Sequence, residues 1–280
     1  MAIVGTAYPH AAHTAPTRRR LLGAGLGVVS VALAAPPAWA RGAAWPGGAR
    51  AAVSLTYDDG LDSQLQYAVP ALDARGLKAT FFLTKENMEA RVHDWQAVAA
   101  NGHEIGDHTV SHPCSLKGYT AARFEREQID GAERFLDESF GVDHQRAFAF
   151  PCGVIDMGRG PQLETQLRYI SALRKSFVAA RATDGDPNDP RAVGRDRYVL
   201  QAIAPTYDKD DPRIAIDYVR KAVRLGFWAI LIFHDVLPKR AGDGDTSIAH
   251  HDLILDWIKT QPVWCAPMRS VLRDLKIETA

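Results

Sequence analysis

The run Ala52-Val53-Ser54-Leu55-Thr56-Tyr57, stopped by Asp58-Asp59-Gly60, decides the fold. A short apolar segment with β-branched members that ends in a polar turn reads as a buried strand. The pattern returns at Ala79 to Leu83, His103 to Gly106 and Ala147 to Phe150, and later at Phe177 to Ala180, Tyr198 to Ile203 and Trp228 to Phe233. Helical spacing fills the intervals. Leu65, Val69 and Leu72 mark a helix from Leu61 to Arg75 that Gly76 closes, and Trp95 to Ala100 belongs to a second, stopped near Gly102. Thr120 to Ser139 places Phe124, Ile129, Ala132 and Phe135 on one face, and Pro212 to Leu225 and Ala249 to Lys259 complete the set. Alternating strands and helices predict an α/β fold whose parallel sheet closes, or nearly closes, into a distorted (β/α) barrel.

The composition agrees with one such domain. Of 280 residues, 46% are hydrophobic and 24% charged, which excludes disordered, collagen-like and multi-span membrane chains. Basic and acidic residues number 33 each, so no overall positive field recruits nucleic acid. A single core suits this length, and three cysteines are too few for a disulfide framework.

Residues 1–40 read as an address. Arg18, Arg19 and Arg20 precede the apolar stretch Leu21 to Ala35, Pro36 and Pro37 follow, and Ala38-Trp39-Ala40 forms a small-x-small cleavage box. The apolar run is short and glycine-rich for a span, which favours a cleaved signal over an uncleaved anchor. The arginine pair before two leucines resembles a twin-arginine export signal, so the twin-arginine translocase is an expected partner. The expected mature domain is 41–280, periplasmic or secreted, with no stable membrane insertion.

The polar residues gather where a barrel builds its site. Asp58 and Asp59, His108 and His112, Pro151 to Gly153, and His234 all follow the C-terminal ends of predicted strands. Each has a plain structural alternative. Asp58-Asp59-Gly60 suits a turn with a helix cap. Its two carboxylates also diverge, so one can bind a cation while the other stays free as a base. His108-Thr109-Val110-Ser111-His112-Pro113 could be two surface histidines. Two imidazoles with one carboxylate nevertheless supply the three protein ligands of an open zinc site. His234, closing the run Ala229 to Phe233, suits a core histidine or a general acid.

Taken with Phe148-Ala149-Phe150-Pro151-Cys152-Gly153 and Leu231-Ile232-Phe233-His234-Asp235, these stretches have the order and spacing of the polysaccharide deacetylase family. This is the NodB-homology domain of carbohydrate esterase family four, and the chain resembles it from about Ala51 to the C-terminus. The resemblance implies a single catalytic domain of the distorted-barrel type that removes acetyl groups from an acetylated carbohydrate. It also implies one divalent metal ion, zinc before others. Asp59, His108 and His112 would be its ligands and Asp58 the base. His234 would be the acid, the Cys152 amide an oxyanion donor, and Ile232 an apolar wall for the acetyl methyl, with Tyr57 grouped among the substrate-side residues. Where many members carry an arginine in the third motif this chain has Ala149, and Arg181 is the candidate substitute partner for Asp58. Two rival readings stay open: a glycan-binding module without chemistry, and an amidohydrolase of a small non-sugar amide. A bridge between Cys114 and Cys152 is open as well.

Overall fold

The computed structural model describes residues 45–277. The expected signal segment therefore lies outside the described residues. Strand β1 spans Ala51–Asp59, β2 Thr80–Leu83, β3 Glu104–Asp107, β4 Ala147–Ala149, β5 Ala179–Arg181, β6 Trp228–Phe233 and β7 Val263–Cys265. They form one parallel sheet of order β5-β4-β3-β2-β1-β6. Strand β7 joins it by pairing with the start of β1, Ala51 to Val53, while β2 takes the end, Thr56 to Asp59.

Among the described residues, the ring closes without a further strand. The sequence predicts one at Tyr198 to Ile203, but only single residues of that stretch pair. Leu200 bridges Arg181 on one side and Ile203 bridges Leu231 on the other. The segment turns between those two contacts, so it cannot run a continuous ladder along either neighbour. The other displaced strand is β5, which begins two residues after Phe177 and includes Arg181 as its last member.

Helices α1 (Val69–Ala74), α2 (Val92–Ala100), α3 (Asp130–Phe140), α4 (Gln162–Leu173), α5 (Pro212–Leu225), α6 (Ile248–Lys259) and α7 (Met268–Asp274) accompany the sheet. Helix α5 has the predicted ends. The Asp211 side chain accepts from the Arg213 amide, Pro212 starts the helix, and Gly226 ends it at a φ of 77°. The helices predicted over Leu61 to Arg75 and Thr120 to Ser139 each contain a π-helical turn, Gln64–Ala68 and Glu125–Ile129. A π turn holds one more residue than an α turn, which the apolar spacing does not reveal.

Strand alternation sorts the core into two layers. Val53, Leu55 and Tyr57 pack with Phe81, Leu231 and Phe233 under the helices. Ala52, Phe82, Ala147, Ala149, Ile230 and Ile232 share the barrel interior with Met268, Val271 and Leu272 of α7, which plugs its lower end. Phe82 fits because β3 has Gly106 beside it, where a Cβ would stand 2.5 Å from the ring. Asp58 shares parity with the interior set, so its carboxylate emerges at the upper rim of that interior.

Candidate active site

Asp58 is 4% exposed and Arg181 0%. Arg181 Nη2 donates to both Asp58 oxygens at 2.6 Å, and its guanidinium lies 5.1 Å over the Phe82 ring. Burial alone would raise the Asp58 pKa. The charge of Arg181, then those of His108 and His234, outweigh burial and hold this carboxyl below its ordinary value. A buried, ionised, singly oriented carboxylate is the form that a general base requires.

Beside it stands a triad of donors. Asp59 Oδ1 lies 3.5 Å from His108 Nε2 and 3.5 Å from His112 Nε2, and the three donor atoms fall within 4.8 Å of one another. His108 Nδ1 donates to the Ala149 carbonyl at 2.9 Å, which leaves Nε2 with its lone pair facing Asp59. Burial lowers the His108 pKa to about 4, against the opposing pull of Asp58 and Asp59, so the ring is neutral at neutral pH. Two imidazoles and a carboxylate at this spacing fit a divalent cation.

The loop that carries the histidines is held from behind. Asp107, completely buried, accepts from the Thr109 amide at 2.6 Å. Burial, and then the neighbouring Glu133 carboxyl, push its own pKa well up. Asp59, Thr109, His112 and Cys152 all adopt positive φ, at 77°, 73°, 52° and 52°. Non-glycine residues take that conformation at a cost, and its concentration at this rim fits a site that is over-determined by its surroundings.

The remaining predicted residues fall in three places. His234 stands just past β6, with the Tyr207 ring edge-on at 6.2 Å, and its Nδ1 is buried without a hydrogen-bond partner. Asp235 turns away from it and accepts from Ser63 Oγ at 2.5 Å. Ile232, 1% exposed, lies in the interior layer with Phe82 and Ala149. Cys152 forms a disulfide with Cys114, tying the third-motif turn to the histidine loop. Tyr57 corrects the sequence reading. Its parity puts it on the helix side, fully buried between Phe81 and Phe233, with its hydroxyl 2.7 Å from His251 Nε2. It has no path to a substrate.

Sequence reasoning missed Gln64. Its Nε2 donates to the Asp58 carbonyl at 2.5 Å and the His234 carbonyl at 3.2 Å, so one amide joins the ends of β1 and β6. It lies in the π turn after β1, and no local pattern announces it. Tyr207, half exposed beside His234, belongs to an irregular loop and was equally silent.

The curled, mostly parallel sheet with its helices is the fold of the carbohydrate esterase family four structures to which this chain is similar. The family model described as polysaccharide deacetylase matches residues 47–160, which hold the first three motifs. Over 67 residues the chain is 45% identical to the peptidoglycan-N-acetylglucosamine deacetylase of Bacillus cereus, covering 23% of this chain and 24% of that protein. The chain spans at most half the length of the curated relatives it matches. Among solved structures it is similar to the Xyl-CE4 domain of a multidomain xylanase from the hindgut metagenome of Trinervitermes trinervoides. That match has a TM-score of 0.55 and 17% identity, covering 82% of this chain and 93% of the other. A family 4 carbohydrate esterase of Bacillus subtilis gives a TM-score of 0.51 at 15% identity, covering 80% and 81%. At such identities the structural likeness speaks for the fold.

Proposed function

We propose that this chain is a metal-dependent hydrolase that removes N- or O-linked acetyl groups from a carbohydrate. The observation that carries the reading is the Asp58–Arg181 pair beside the Asp59, His108 and His112 triad. The triad would hold the cation, for which zinc is the natural choice with two imidazoles and one carboxylate. Bound there, it would polarise the acetyl carbonyl and acidify water.

The chain's own residues supply the rest. Asp58, kept ionised by Arg181, takes the proton of the attacking water. The Cys152 amide, on the turn after β4, donates to the oxyanion. His234, across the rim, gives a proton to the departing amine or alkoxide. Ile232 and Phe82 keep the floor apolar, which strengthens each of these interactions. We further infer export through the segment at 1–40 to a periplasmic or secreted location, where acetylated polymers are found. Replacing Arg18 and Arg19 by lysine should then strand precursor in the cytoplasm, because a guanidinium-reading receptor does not accept ammonium.

The test is acetate release across chitin oligomers, peptidoglycan, acetylxylan and exopolysaccharide, with metal content measured on the same preparation. Metal-dependent acetate release that Asp58→Asn abolishes supports the reading. A protein that binds metal and these glycans yet releases no acetate from any of them is a binding module instead.

A further inference from the structure

The two imidazoles of the triad are not held alike. His108 is anchored by its own amide, which donates to the Leu83 carbonyl at 3.1 Å, and by its Nδ1 bond to Ala149. A ligating imidazole usually has such an oxygen acceptor on its second nitrogen, which fixes the ring. His112 has none. Its Nδ1 faces sulfur, with Cys114 Sγ at 3.7 Å and Cys152 Sγ at 4.0 Å. Its backbone is at positive φ, and its amide donates to Thr109 Oγ1 at 3.0 Å.

We propose that the Cys114–Cys152 disulfide is the positioning element for His112, and that opening it weakens metal binding at the triad. The inference rests on the reading that Asp59, His108 and His112 hold a cation. The bridge fixes the histidine loop to the third-motif turn, whose Cys152 is itself at positive φ. It presents two sulfurs to the back of the imidazole, so that Nε2 is aimed at Asp59. Both cysteines are exposed, so a reductant reaches them without unfolding. Once the bridge is open, the strained His112 backbone relaxes and the ring loses its backing, while His108 keeps both of its anchors. The site then falls from three ligands towards two.

The experiment measures the zinc dissociation constant of the full chain by competition with a chromophoric chelator. It is run oxidised, then after a water-soluble phosphine. The phosphine attacks one sulfur and water completes the exchange, giving two thiols and the phosphine oxide, and the reagent is removed before titration. Because thiols themselves bind zinc, the decisive comparison uses the Cys114→Ser, Cys152→Ser double variant. Its affinity should be about 10–100-fold weaker than that of the oxidised wild type, the usual cost of losing a group that orients a ligand. Phosphine should leave the double variant unchanged. Reduced wild type with its thiols alkylated should match the variant, and reoxidation of unblocked protein should restore tight binding. Thermal unfolding of each form is recorded alongside, since a merely structural staple would lower the melting temperature and leave the dissociation constant where it was. Equal affinity in the oxidised protein and the folded double variant overturns the proposal and leaves the metal reading standing. No zinc binding by the oxidised protein overturns the metal reading, and the positioning role with it.

Discussion

Arg181→Met isolates the group that keeps Asp58 ionised. Both partners are buried, so the variant leaves a buried carboxylate with its main counter-charge gone. Breaking one side of a buried pair costs about 3–5 kcal/mol of folding stability near neutral pH. The pH dependence should also change sign. In the wild type the Asp58 pKa lies below its ordinary value, so its contribution to stability is complete above that value and is lost as pH falls through the folded pKa. In the variant burial dominates and the folded pKa rises above the unfolded one. The penalty is then full at high pH and shrinks as pH falls and Asp58 takes up a proton. Denaturant unfolding near pH 5 and near pH 8, with wild type alongside, reads this directly, and the gap between the proteins should be larger at the higher pH. The acid limb of kcat/KM should move to higher pH in step, because the base is now protonated over part of the range. Adding Asp58→Asn to Arg181→Met should recover part of the stability while activity stays lost, since the uncompensated charge has been removed. A stability loss under about 1 kcal/mol, or an equal loss at both pH values, would refute the reasoning.

Asp58→Asn should keep its metal and lose nearly all turnover, whereas Asp59→Ala should lose affinity for the metal itself; equal metal loss, measured by elemental analysis after dialysis, would reverse the assignment. His234→Ala should lower kcat far more on an N-acetyl sugar than on an activated aryl acetate, whose leaving group needs no proton, and parallel kinetics on the two substrates check it. Tyr57→Phe removes only the hydroxyl that meets His251. It should cost about 1 kcal/mol in denaturant unfolding and leave KM and kcat unchanged, and a specific loss of activity would return Tyr57 to the site.

The parts of this molecule that were legible in the sequence are those where one physical signal acts alone. Strand β1 was read because its apolar run ends abruptly in two aspartates, and α5 was placed over Pro212 to Leu225, where the structure also finds it, capped by Asp211 and ended at Gly226. The residues of the triad were readable because they stand at two strand ends, Asp59 closing β1 and His108 and His112 following β3. The unread parts depend on several signals at once. Period two already separates Tyr57 from Asp58, so its place under the helices was within reach of the pattern, but the motif's continuity concealed it. Helix α4, strand β7 and helix α7 carry ordinary amphipathic sequence without a strong stop. The segment from Tyr198 to Ile203 has strand composition, yet its two pairing residues serve different neighbours. Gln64 is beyond any local reading, because its two acceptors lie in β1 and just past β6, 170 residues apart in the case of His234.

That divided segment has a bearing on breadth. Arg181, which orients Asp58, lies on one bank of the seam, and β6, which delivers His234, is the other. Elsewhere around the ring, neighbouring strands are spaced by direct ladder hydrogen bonds. Across the seam, the described residues meet through a tether from Leu200 to Ile203, one bridged residue on each bank, and through the pairing of Asn188 with Trp228 of β6. Lengthening or shortening that tether would change the spacing of Asp58 and His234 without replacing any motif residue, so on the proposed reading the same groups could be set to ligands of different thickness.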